Sequence, residues 1–225
     1  MLTFDIRVCV CMYVDQSSSL MFRSSAPSRS QDRDVVDLTH FERLRVNEMP
    51  LAKANGVSAL IVRDAHIDSN QFKDLSEKYL QQQMLPRLLK LDLTNNNIGK
   101  AGATILCRAL QHTCRLVHLS LAGNKLGDSV VRKVLEAIKA GDGCDSLLKL
   151  DLRENTLTFT SGMIESLSHM RSVKVLDLSY NAINLESKKI LKPFIDMLGN
   201  LSNLQVFSLA YTRLHDQVST AVSYN

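Results

Sequence analysis

The stretch that decides the fold is Leu88-Leu89-Lys90-Leu91-Asp92-Leu93-Thr94-Asn95-Asn96-Asn97-Ile98. Its leucines follow the pattern L-x-x-L-x-L, and an asparagine followed by an aliphatic residue completes it as N-x-I. Side chains in an extended strand alternate between two faces, so Leu91 and Leu93 share one face while Lys90 and Asp92 share the other. The pattern predicts a short strand that buries its leucines and then turns sharply.

The same pattern occurs five more times. The six copies start at residues 57, 88, 116, 147, 173 and 204, at spacings of 26–31 residues. Each spacing leaves about 15 to 20 residues after the strand and turn, enough for an α-helix on the return limb. The chain is therefore predicted to be an α/β solenoid of about six repeats, curved as a horseshoe. A parallel sheet would line its concave side and helices its convex side.

One column of the alignment is polar although it belongs to the turn beneath the sheet. Four copies carry asparagine there: Asn96, Asn124, Asn155 and Asn181. The backbone of the turn has amide and carbonyl groups without sheet partners, and an asparagine side chain both donates and accepts hydrogen bonds. We predict that these residues form a structural asparagine ladder. The column carries Ala65 and Thr212 in the two outermost copies, as expected of atypical terminal repeats.

Repeats of this length and pattern resemble the ribonuclease-inhibitor class of leucine-rich repeat, over about residues 57–214. Similar repeats occur in Ran GTPase-activating proteins, tropomodulin-like actin cappers and nucleotide-binding immune receptors. The resemblance implies the horseshoe fold and a concave surface able to bind another protein. It implies no particular activity, because one fold hosts many functions.

The parts of the chain outside the repeats are less regular. Residues 1–34 are predicted to be a disordered tail, since Ser and Arg dominate residues 17–30. Residues 35–56 are predicted to be an N-terminal cap segment, with a helix beginning after Thr39. Residues 57–225 form the repeat domain. No capping helix is recognisable after Leu214, which favours a fragment of a longer array over a partner that covers this end.

Composition and motifs predict a non-enzyme. The chain has 225 residues, a net charge of +4, five cysteines and six scattered histidines. It has no C-x-x-C, no phosphate-binding glycine loop and no zinc or serine-nucleophile motif. We expect no cofactor, no metal, no small-molecule substrate, no nucleic acid and no membrane as a partner. A cytoplasmic location is predicted, with a nuclear or cytoskeletal pool left open.

The candidate binding surface is the concave face. An acidic row of Asp92, Ser120, Asp151 and Asp177 should lie beside a basic row of Lys90, His118 and Lys149. Arg153 should lie on the same face, and Tyr180, Tyr211 and Arg213 on the following loops are predicted anchors, since Tyr and Arg are favoured at interfaces. These charges could instead only neutralise one another and keep the face soluble.

The leading functional hypothesis is a non-catalytic interaction or scaffolding module that binds a protein through this face. One alternative, implied by the resemblance, is a regulator like the Ran GTPase-activating class, in which Arg63 or Arg153 would stabilise phosphate charge. Another alternative is the sensor part of a larger receptor.

Overall fold

The computed structural model describes residues 35–39, 57–81, 85–141, 143–185 and 187–212. The predicted tail at 1–34, the helix predicted to begin after Thr39, and Arg213 all lie outside these residues. Within the described ranges, seven three-residue strands follow one another in a single parallel sheet. The strands are β1 Val35–Asp37, β2 Ala59–Ile61, β3 Lys90–Asp92, β4 His118–Ser120, β5 Lys149–Asp151, β6 Val175–Asp177 and β7 Val206–Ser208.

Helices occupy the return limbs. They are α1 Ser69–Tyr79, α2 Gly99–Leu110, α3 Asp128–Ala140, α4 Ser161–Ser168 and α5 Lys188–Asn200, and short 3-10 turns lie at Leu85–Arg87 and Gly143–Asp145. Consecutive helices pack against each other, as do consecutive strands. The predicted α/β leucine-rich repeat solenoid is confirmed.

The register of the sheet explains why one pattern specifies the whole array. The middle leucines pair in line, Leu91 with Leu119 and Leu119 with Leu150. All three are at most 1% exposed. Burial of a leucine contributes about 1.5–3 kcal/mol, and a one-residue slip would turn every leucine to the opposite face. The aliphatic pattern therefore fixes the register.

Strand β1 was not predicted. Val35–Asp37 lies within the predicted cap segment, whereas Val36 pairs in line with Leu60 of β2. Val36 and Leu38 are 8% and 1% exposed, so they fill the L-x-L positions of a seventh unit. The remaining positions of the pattern hold Arg33, Phe41 and Arg43. Because these residues do not match the pattern, the copy is not recognisable from the sequence.

The four column asparagines lie in line beneath the sheet, and all are buried. Asn181 shows the bonding most completely. Its Nδ2 donates to the carbonyls of Leu152, Leu178 and Ser179 at 2.8–3.2 Å. Its Oδ1 accepts from the amides of Asn155 and Leu157 at 2.9 and 3.0 Å. One side chain thus joins its own turn to the turn of the preceding repeat.

Asn96 and Asn155 bond in the same manner, with Nδ2 to carbonyls of two repeats and Oδ1 to an amide of the preceding one. Asn124 differs. Its Nδ2 donates to three carbonyls, but its buried Oδ1 has no partner among the described residues. The ladder is therefore weakest at Asn124.

The residue just before the ladder column adopts a left-handed backbone in every described repeat from β2 onward. The φ angles run from 51° to 68° at Asp64, Asn95, Gly123, Glu154, Tyr180 and Tyr211. This conformation favours glycine and is unusual for a bulky side chain. Each turn is therefore bent at the same point, and the side chain at that point is directed away from the core.

A polar link joins α3 to the loop before α4. The carboxylate of Asp128 accepts from the amides of Thr158 and Thr160 at 2.9 and 2.8 Å, and from the Thr158 hydroxyl at 3.0 Å. We expect Asp128→Ala to lower the free energy of unfolding by about 1–2 kcal/mol, because three donors lose a charged acceptor. Urea unfolding measures the change. Asp145→Ala is the control, and an equal loss there would contradict the assignment.

Candidate protein-binding face

The concave wall carries two columns of polar side chains, set by the register of β3 to β6. Lys90, His118 and Lys149 pair across neighbouring strands, and so do Asp92, Ser120, Asp151 and Asp177. The structure thus brings the predicted basic and acidic rows together side by side. The two rows differ strongly in exposure.

The acidic row is largely buried. Asp92 is 1% exposed and Asp151 is 7% exposed. Arg63 lies over Asp92, with its Nε and Nη2 at 2.8 and 2.5 Å from Oδ2. Burial alone would raise the pKa of Asp92, but the hydrogen bonds from Arg63 and Thr94 hold that pKa below its usual value. Asp92 is therefore an ionised, covered carboxylate and contributes little negative charge to the surface.

Arg153 covers Asp151 in a similar way two strands further along the sheet, although it belongs to the same repeat as its aspartate. Its Nε and Nη2 contact both carboxylate oxygens of Asp151 at 2.8–3.2 Å. Its Nε also lies 3.5 Å from Asp177. The side chains of Arg63 and Arg153 are 43% and 44% exposed. The solvent-facing groups above Asp92 and Asp151 are therefore the side chains of Arg63 and Arg153.

The sequence analysis names Arg63 only for the GTPase-activating alternative, and its ion pair with Asp92 was not predicted. Arg63 stands two residues after strand β2, as Arg153 stands two residues after β5. That shared position was the available signal. Its contact with Asp92 lies 29 residues away along the chain, which the pattern alone does not reveal.

Hydroxyl pairs complete the wall. Ser120 is 2% exposed, and its hydroxyl lies 2.8 Å from that of Thr94. Ser179 and Ser208 form a second pair at 2.6 Å. Ser120, predicted as a binding residue, is thus engaged in bonds between repeats.

His118 lies between two lysines on the basic row. Burial, followed by the charges of Lys149 and Lys90, lowers its pKa from 6.5 to about 4. The imidazole is therefore neutral at physiological pH. Lys149 is exposed and Lys90 is half-buried.

The pKa of His118 gives a testable pH dependence. Its value is lower in the folded state than in the unfolded state, so its contribution is present above pH 6.5 and is lost as pH falls toward 4. We expect this loss to reach about 1–2 kcal/mol, less than the full shift implies because water screens the site. Urea unfolding of wild type and His118→Gln across this range measures it. The variant should show the shallower slope, and His112→Gln should match wild type. An equal change of the free energy of unfolding with pH in wild type and in His118→Gln would refute this role of His118.

The two predicted tyrosine anchors stack on each other. The rings of Tyr180 and Tyr211 have centroids 4.6 Å apart and an interplanar angle of 14°. The residues are 54% and 57% exposed. Both occupy the left-handed position of their turns. They form an aromatic platform where strands β6 and β7 end, and their 31-residue separation, one repeat, could have predicted the contact.

Within 35–39, 57–81, 85–141, 143–185 and 187–212, no cluster of three or more His, Cys, Asp or Glu could hold an ion. These residues also contain no helix with the length and hydrophobicity needed to cross a bilayer. Cys107 is half-buried, and Cys114 is exposed.

Comparison with known proteins agrees with the repeat geometry. A family model described as "Leucine Rich repeat" matches residues 86–107 and 169–187. These segments contain strands β3 and β6 with their turns.

Two curated proteins are similar to the chain. The human "NACHT, LRR and PYD domains-containing protein 5" is 26% identical over 215 residues, covering 81% of this chain and 17% of that protein. A probable inactive serine/threonine-protein kinase of Dictyostelium discoideum is 33% identical over 113 residues, covering 48% of this chain and 5% of that protein. The chain thus spans less than a fifth of either relative. Its repeated strand, asparagine turn and helix are those of a leucine-rich repeat solenoid.

Proposed function

We propose that this chain is a non-catalytic module that binds a protein partner on its concave wall. The observation that carries the proposal is the exposed tyrosine platform at the edge of that wall. Tyr180 and Tyr211 hold large rings in a backbone conformation that disfavours them, at roughly 1–3 kcal/mol each. Aromatic residues held in place on a rigid scaffold are typical interface anchors.

The fold supports the same proposal in a second way. The asparagine ladder and the leucine columns fix every strand, so the side chains of the wall stand in set positions before any partner arrives. A preorganised surface loses little entropy on binding. Lys149, Arg153 and the tyrosines are exposed on this surface, whereas Asp92 and Asp151 support it from beneath.

A pull-down with two matched double variants tests this proposal. Lys149→Ala with Tyr211→Ala removes exposed groups from the concave side, and Glu165→Ala with Lys192→Ala removes exposed groups from helices α4 and α5. We expect the concave variant to recover about tenfold less of each specific partner, and the helix variant to match wild type. Loss confined to the helix variant would overturn the proposal.

A second role is favoured by the human relative, whose name places leucine-rich repeats beside NACHT and PYD domains. In that role the solenoid is the recognition part of a larger receptor. Full-length transcript sequencing distinguishes the two roles, since only a receptor transcript encodes further domains in frame. Nothing in the described residues favours a GTPase-activating role, because Arg63 and Arg153 both lie against aspartates.

We further assign the repeats to the ribonuclease-inhibitor class, because helices of 11–13 residues fill most return limbs. A cytoplasmic location is also proposed, since Cys107 and Cys114 are free thiols and a reducing compartment keeps them so.

A further inference from the structure

The charges that the concave wall exposes indicate the chemistry of its partner. This inference rests on the proposed function. Formally the wall carries aspartates and basic residues in similar numbers. The aspartates of β3 and β5 are 1% and 7% exposed, whereas the arginines above them are 43% and 44% exposed. The charged groups that the concave wall exposes to solvent are therefore mainly cationic, although its positive and negative residues are similar in number.

A basic edge continues this charge along the N-terminal ends of strands β3 to β6. It is formed by the lysines of the first strand positions and by basic residues of the loops that lead into the strands. Its members are Arg87, Lys90, Arg115, Lys149, Arg171 and Lys174. Across the described residues of these loops and first positions, Asp145 is the sole acid. The edge thus carries a concentrated positive potential.

Among the described residues, the amino groups of Lys90 and Lys149 take part in no ion pair. Arg63 and Arg153 form ion pairs with aspartates, but no carboxylate of the described residues lies within 4.0 Å of the Lys90 or Lys149 amino group. Lys90 and Lys149 are two strand spacings apart, about 9.6 Å. Burial and both lysines disfavour protonation of the intervening His118, so His118 adds no charge of its own.

We infer that the basic edge binds an acidic segment of a partner protein, with carboxylates facing Lys90 and Lys149. Complementary charge of this kind steers association and sets specificity. The segment lies across the strands, parallel to the row of lysines, and reaches Lys174, which immediately precedes strand β6.

A nucleic acid fits this surface less well. Its charges are dense and of one sign, about one per 1.7 Å along a duplex, and it would also meet Asp177, whose side chain is 27% exposed. Single-stranded nucleic acid needs aromatic stacking along its path, but Tyr180 and Tyr211 lie past the opposite, C-terminal ends of the strands. A protein segment can place carboxylates against the lysines and neutral side chains against Asp177.

Fluorescence anisotropy with synthetic probes tests the inference. The probes are a fluorescein-labelled peptide of alternating Glu and Ser, its Lys and Ser counterpart, and an oligothymidylate. We expect the chain to bind the Glu peptide, and Lys90→Glu with Lys149→Glu to weaken that binding about tenfold or more. A rise in salt from about 50 to about 150 mM should weaken the wild-type complex several-fold, because screening shortens the range of the charges.

The matched control is Lys188→Glu with Lys192→Glu on helix α5, which changes the net charge equally on the other side of the solenoid. It should stay within about twofold of wild type. Lys90→Gln with Lys149→Gln keeps the test valid if charge reversal disturbs folding, and it should weaken binding by an intermediate factor.

Three results would overturn the inference: no binding of the Glu peptide by wild type, equal loss in the α5 control, or tighter lysine-dependent binding of the oligothymidylate. If the pull-down still shows a partner on the concave side while the Glu peptide fails, only the acidic segment is refuted. If the pull-down locates the partner on the helices, the proposed function itself is refuted.

Discussion

Asn181→Ala is expected to lower the free energy of unfolding by about 3–5 kcal/mol. The side chain accepts hydrogen bonds from two backbone amides and donates hydrogen bonds to three carbonyls across two repeats. Each buried group left without a partner costs about 1–3 kcal/mol. Relaxation of the turn and entry of water keep the total below the sum of these costs. Equilibrium unfolding in urea, followed by circular dichroism, measures the change.

Two asparagines serve as matched controls. Asn124→Ala should cost clearly less than Asn181→Ala, because the Asn124 Oδ1 accepts no bond. Asn203→Ala should cost about 1 kcal/mol or less, since it removes one exposed bond to the Arg171 carbonyl. Equal costs at Asn181 and Asn203 would show that the ladder does not hold the repeats together.

The second large effect is expected at Arg63. Arg63→Met should lower the free energy of unfolding by about 2–3 kcal/mol at pH 7, because it leaves the Asp92 carboxylate buried without its cation. The partial exposure of Arg63 keeps the cost at the lower end for a buried pair, since water can reach part of the gap. Asp92→Asn in the same chain should restore more than half of the loss.

The pH dependence of this variant has a defined sign. Burial raises the pKa of Asp92, and the Arg63 hydrogen bond and charge lower it, so removing Arg63 raises the pKa of Asp92 relative to wild type. The variant is therefore penalised relative to wild type at high pH and recovers part of that loss as Asp92 becomes protonated at low pH. In wild type the pKa of Asp92 is lowered, so its contribution is lost only below its usual range. The stability gap between the two proteins should narrow from pH 7 to pH 4. A constant gap would contradict the role given to Arg63.

The fold could be predicted because its determinants are local and repeated. Leu91, Leu119 and Leu150 mark the strands by themselves, and the spacing of the copies leaves room for the helices. Strand β1 was not predicted because only Val36 and Leu38 of its copy match the repeat pattern. Burial of these two apolar residues was enough to add the strand to the sheet, although the rest of the copy lacks the pattern.

The face was predicted in composition but not in exposure. Alternation places Asp92 and Lys90 on the same side of β3, and it cannot tell that one is 1% exposed while the other is half-buried. Arg63, a long side chain from the turn after the neighbouring strand, lies over Asp92. The cationic character of the surface therefore could not be predicted from the sequence.

The stacking of Tyr180 on Tyr211 lies between these cases. Both residues precede the asparagine column, one repeat apart, so their adjacency follows from the alignment. Their exposure follows from the left-handed backbone at that position, which the sequence marks clearly only at Gly123.

Site-specific photo-crosslinking tests most directly whether the inner wall is where this protein meets its partner. A benzophenone side chain is introduced at position 149, on the concave wall, or at position 165, on helix α4, in the full chain expressed in cells. We predict that irradiation links partner protein to position 149 and not to position 165. Crosslinks from position 165 alone would contradict a concave binding face.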